Sequence, residues 1–197
     1  MQSTFTAFFD ANVFFGVRLR SFVMEVAKSG LFRARWSRDV HDEWIRAVVR
    51  RRQDLTAERL RPVADQMDAA IPDALVTGYE TLVPSLELPD PDDRHVLAAA
   101  ITGRADVIVT FNVGDFPAQA IDGFGIHTKH PDRFFREVDG IVPGTIVEAA
   151  IRDLAHYKNP PLSAERYADD LEKAGVPLVA SHLRKLRVLF EQGDRSA

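Results

Sequence analysis

The chain has 197 residues, 46% of them hydrophobic and 27% charged, with a net charge of −4 and no cysteine. That length suits one full domain with an appendage or two small ones, and the absence of thiols excludes disulfides, thiolate metal sites and a cysteine nucleophile. No apolar run approaches the roughly 20 residues of a membrane helix, and the start MQSTFTAFFDANVFF lacks the basic region and cleavage site of a signal peptide, so a cytoplasmic location is expected.

In chain order, Phe5 to Phe9 read as a short strand and Asn12 to Lys28 as a helix stopped by Ser29-Gly30. LFRARW is a second short strand. Ser37 caps a helix running to about Arg52, and Thr56 begins another that ends near Ala70. The stretch from Leu75 to Asp93 is extended, with prolines at 84, 89 and 91. Asp92 to Thr102 form a helix, and ADVIVTF (105–111) is the clearest strand, a continuous apolar run of the kind buried in a parallel sheet. A last short strand falls at Gly125–Thr128. After HPDRFF the strand signals stop, and helices are expected at about 143–157, 164–174 and 178–191. The pattern predicts an α/β domain with a central, mostly parallel sheet over residues 1–130, followed by a helical C-terminal extension over 131–197.

Charge is unevenly spread. Residues 1–62 carry 12 basic against 7 acidic side chains, whereas residues 63–130 carry 3 against 11. Such asymmetry fits a nucleic-acid surface beside an acidic site, and it equally fits solvated helix faces. Arg46 and Arg50 share a helical face within the densest basic run and are candidates for phosphate contact; pairing with Asp54 and Glu58 is the competing role.

The acids fall where ligands of parallel sheets bind, beyond the carboxyl ends of strands. Asp10 ends the first strand in FFDANVFF. Thr110, Asn112 and Asp115 follow the strong strand in VTFNVGDF. Asp93 opens a helix in DPDDRHVLAAAI, and Glu43 lies in the helix SRDVHDEWIRAVV. Each acid alone is accounted for as a helix cap or a solvated charge; together they form a set of hard oxygen donors whose repulsion calls for a cation. His95, two residues after Asp93, belongs to no metal-ligand spacing and is read either as a support to the acids or as an ordinary surface residue, and no GxSxG, GxGxxG or P-loop is present.

These four blocks, in this order, resemble the PIN-domain ribonucleases, of the kind found as VapC toxins of bacterial toxin–antitoxin pairs. The resemblance implies a PIN-like three-layer domain and Mg²⁺- or Mn²⁺-dependent cleavage of RNA to 5′-phosphate and 3′-hydroxyl products. It implies catalytic roles for Asp10, Glu43, Asp93 and Asp115, with the metal on Asp10, Asp93 and Asp115, and supporting roles for Asn12, Thr110 and Asn112. An RNA substrate, a VapB-like protein antitoxin and a homodimer are the partners it brings, with no membrane. One departure stands out: the family often has Asp where this chain has Asn112, a neutral oxygen that leaves the number of metals open. Two other readings compete. DAN occupies the place of the D-x-D of haloacid-dehalogenase-like phosphatases, and a non-catalytic PIN-like scaffold binding RNA or protein would keep the fold without the chemistry.

Overall fold

In the computed structural model, which describes residues 5–186, the apolar runs near the start and middle of the chain become neighbouring strands. The strands are β1 (Thr6–Phe9), β2 (Arg33–Ser37), β3 (Leu75–Val76), β4 (Val107–Val109) and β5 (His127–Lys129). The helices are α1 (Val17–Ala27), α2 (Arg38–Arg51), α3 (Ala57–Ala70), α4 (Arg94–Thr102), α5 (Ala118–Ile121), α6 (Pro131–Ile141), α7 (Thr145–Leu154), α8 (Ala164–Lys173) and α9 (Pro177–Lys185). They divide into two units. The first is drawn from residues up to Phe15 and from Gly30 to His130, the second from Gly16–Ser29 and from Pro131 onward.

The first unit holds a parallel sheet in the order β3-β2-β1-β4-β5. Ala7 stands opposite Ala34 on one side and Val107 on the other, and Val107 stands opposite His127. Central β1 and β4 are buried along their length, as expected for strands covered on both faces by helices. The strand order reverses at β1, so the crevice where chain connections part lies beyond the carboxyl ends of β1 and β4. Both strands end there in polar residues, Asp10 and Thr110.

The expected helix from Asn12 to Lys28 is broken. Residues Ala11–Phe14 wind as a 3₁₀ turn, Gly16 is extended, and α1 begins only at Val17. Ser37 caps α2 as expected, its hydroxyl accepting from the Val40 N–H at 3.3 Å. The helix at Asp92–Thr102 is a 3₁₀ turn (Pro91–Asp93) leading into α4.

The second unit is helical. Leu19, Phe22, Val23 and Val26 form the buried stripe of α1, spaced at three and four residues. Phe22 meets Phe135 of α6 edge to face, with ring centroids 5.2 Å apart. Its buried acids have local partners. Asp132 accepts from the Leu178 and Val179 N–H groups at 2.8 and 2.9 Å and so caps α9, and Asp139 accepts from Gly144 and Ile146 at the start of α7. Asp153 accepts from the Ser21 hydroxyl and from the Tyr167 hydroxyl. The expected helices at 143–157 and 164–174 correspond to α7 and α8, and the one at 178–191 to α9 as far as Lys185; the part past residue 186 lies outside the described residues.

Candidate active site

Asp10 is buried at the end of β1, where its N–H donates to the Val109 carbonyl of β4. Its two carboxylate oxygens do different work. Oδ1 accepts from the Ala11 N–H at 2.6 Å and caps the 3₁₀ turn. Oδ2 accepts from the Asn12 amide and from the Thr110 hydroxyl, both at 2.6 Å. Asn12 Nδ2 also reaches Thr110 Oγ1 at 2.9 Å, while its carbonyl oxygen accepts from the Phe111 N–H at 3.1 Å. The Asn112 N–H donates to Thr110 Oγ1 at 3.0 Å. Asn12 and Thr110 therefore stitch the end of β1 to the loop after β4 and fix the Asp10 carboxylate between them. These donors favour the ionised form, yet burial outweighs them and, with Glu43 adding repulsion, pushes Asp10 up to about 6.

Asp93 ends the 3₁₀ turn before α4. Burial, followed by the negative charges of Asp10, Asp115, Asp90 and Glu43, pushes it up to about 7. Acids from the end of β1, from α2, and from the turns ending at Asp93 and Asp115 thus all act on the Asp93 carboxyl. Glu43, half-buried on α2, is met by His95 of α4, with Nε2 3.4 Å from Oε2. Burial opposes the charged form of His95, but the Glu43 carboxylate, with Asp39 and Asp10 beyond it, wins and raises its pKa. Asp90 is the neighbour of Asp93 that sequence reasoning passed over, and its signal was its place three residues before Asp93.

The remaining residues are less enclosed. Asn112 is exposed, with Asp115 half-exposed one short turn later. Arg46 and Arg50 are exposed on α2, while the neighbouring Arg52 pairs with Asp54 at 2.6 Å and Arg61 pairs with Asp42. Among the described residues, no group of three or more His, Asp or Glu side chains is already gathered tightly enough to hold a metal ion. The donor chemistry nonetheless fits a hard divalent cation. The oxygens are carboxylates, and Asp10 and Asp93, raised first by burial and then by neighbouring acids, would regain their ionised form beside a cation.

The first unit is a parallel α/β sheet whose β1 and β4 end in Asp10 and Thr110 at the point where the strand order reverses. The profile of the PIN domain family matches residues 6–114, more than half of the chain, and the chain belongs to that family. The profile of the VapC50 C-terminal domain matches residues 131–185. Among curated relatives, the "Putative ribonuclease VapC50" of Mycobacterium tuberculosis is 33% identical over 113 residues, covering 57% of this chain and 66% of that protein, just under two thirds of its length. No solved structure matches the chain.

Proposed function

We propose that the protein is a Mg²⁺- or Mn²⁺-dependent ribonuclease and the toxin of a VapBC-type pair. The observation that carries this reading is the buried Asp10 carboxylate, held by Asn12 and Thr110 at the carboxyl edge of the sheet on a chain of the PIN family, with Asp93 raised by burial and by repulsion from Asp10, Asp115, Asp90 and Glu43. Asp10, Asp93 and Asp115 would hold the ion, which when bound polarises the scissile phosphate and lowers the pKa of an attacking water. Asn12 and Thr110 keep Asp10 in one orientation, so the remaining lone pair, on Oδ1, faces a constant direction. His95 holds the Glu43 carboxylate from the α4 side. Arg46 and Arg50 offer cations to RNA phosphates from the exposed face of α2. Asn12 bears on the phosphatase alternative: its amide donates to Asp10 and Thr110, and it has no proton to give a leaving group.

Asp10→Asn is expected to lower RNA cleavage by a factor of about 10³ or more, the scale set by losing a group that acts on the reacting centre. Cleavage should also stop in EDTA and return with Mn²⁺. Full cleavage in excess EDTA, or an active Asp10→Asn, would end the metal-nuclease reading. A phosphatase signal without RNA cleavage would favour the haloacid-dehalogenase alternative.

The antitoxin follows from the same reading, because an active ribonuclease endangers the cell that makes it. A cationic side chain entering the acid cluster would supply the charge the field lacks. Growth arrest on expression is expected to be relieved both by Asp10→Asn and by co-expression of the adjacent gene. Overexpression that neither slows growth nor changes cellular RNA would sink the toxin assignment.

A further inference from the structure

A groove of about 600 Å³ opens on the first unit, walled by Leu86 and Leu88 of the extended run before α4, Leu97 of α4, and Pro117 and Phe124 beyond β4. Two of its walls follow the candidate acids closely along the chain: Leu97 lies four residues after Asp93, and Pro117 lies two residues after Asp115.

Its chemistry selects what can enter. No Lys or Arg lines it, and Glu87 does, so a phosphate gains nothing there. The walls are apolar, with polar edges at Ser85 and Gln119, and the Phe124 side chain, on a residue 47% exposed, offers a ring to solvent. A flat, neutral group with hydrogen-bonding edges suits that combination. Resting on the nuclease reading above, we propose that the groove takes one unstacked base of a single-stranded RNA, next to the scissile phosphate, with Phe124 as its stacking face. The phosphate stays at the acids and the base turns away into the groove. A duplex, whose bases are stacked and paired, cannot supply that base.

The test uses the full chain carrying Asp10→Asn, with a fluorescein-labelled single-stranded oligouridine as probe. Adding Phe124→Ala is expected to weaken binding by about tenfold, the range of losing one base–aromatic stack. Phe124→Trp should keep binding, and its indole fluorescence should fall as RNA is added. Oligouridines with a single abasic position should lose affinity at one position only, and Phe124→Ala should erase that difference. In the chain with Asp10 intact, Phe124→Ala should raise KM about tenfold with kcat little changed. Equal affinity of Phe124→Ala and its parent, or duplex bound as tightly as single strand, overturns the groove assignment whatever the cleavage result. Loss of antitoxin binding alone in Phe124→Ala would make the groove a protein contact and overturn it too. If Asp10-intact protein cleaves nothing while the Phe124→Trp signal is quenched, the nuclease reading falls and the base site stands.

Discussion

Asp10 and Asp93 tie the stability of the first unit to pH. Both are raised, to about 6 and about 7, from an ordinary aspartate value of about 4. A carboxyl whose folded pKa exceeds its unfolded one binds its proton more tightly when folded, so its stabilising contribution is full below the unfolded value and is lost as pH rises through the folded one. In EDTA, the melting temperature contributed by these groups should therefore fall between about pH 4 and about pH 7. Asp10→Asn should flatten that fall by removing one acid and relieving Asp93, and Mn²⁺ should raise the melting temperature of the unmodified chain most at the upper end of the window. Melting curves of the two proteins across that range check it; parallel pH profiles would show that the two acids do not share a field. The positions of these acids at strand ends and helix starts were readable from the sequence. Which oxygens they would offer was not. That Asp10 is at once a turn cap and a member of the cluster depends on Thr110, 100 residues away, whose hydroxyl claims one oxygen while Ala11 claims the other.

At the level of elements, α2 carries Glu43, and a chain of buried hydrogen bonds outside the site holds it in place. The Trp36 indole N–H donates to Asp68 Oδ1 at 2.6 Å, and the His41 Nε2 lies 2.9 Å from the same oxygen. Trp44 donates to His41 Nδ1 at 2.9 Å, which puts the imidazole proton on Nε2, facing Asp68. Burial lowers the His41 pKa despite Asp68, so the ring works as a neutral relay between α2, α3 and β2. Asp68→Ala strands two largely buried N–H donors and is expected to cost about 3 kcal/mol, with Asp68→Asn costing less because one acceptor survives. Urea unfolding measures this, and a loss under about 1 kcal/mol would mean that water replaces the carboxylate. The elements legible in advance were those with strong periodicity or caps, such as α2 with Ser37 and β4 with its unbroken apolar run. Those missed have physical reasons. β3 is two residues long, too short for any alternation to register. α6 starts at Pro131 and buries Phe134, Phe135 and Val138, a helical spacing masked by the strand residues just before it and by Gly140 near its end. The break at Gly16 came from the cap at Asp10, which commits residues 11–14 to a tighter turn.

For the whole molecule, the path of the chain between units matters most. α1 is encoded inside the stretch matched by the PIN profile, yet it packs in the helical unit with residues from beyond Pro131. Phe22 is covered by Phe135, Ser21 bonds Asp153, and Glu25 Oε2 takes the Arg152 guanidinium at 3.2 Å, with the Arg152 guanidinium also reaching the Glu25 carbonyl at 3.1 Å. A chain ended at His130 would keep every acid of the candidate site but would leave Leu19, Phe22, Val23 and Val26 without those neighbours. Four large apolar side chains returned to water at about 1.5–3 kcal/mol each approach the whole stability of a small domain. The shortened protein is therefore expected to aggregate or to bind a hydrophobic dye, and adding Phe22→Ser and Val23→Ser should improve its solubility. In the full chain, Phe22→Ala alone should cost about 3–5 kcal/mol through the cavity it leaves. A soluble, monomeric 1–130 fragment that melts as cooperatively as the full chain would show that α1 is secured without the C-terminal helices.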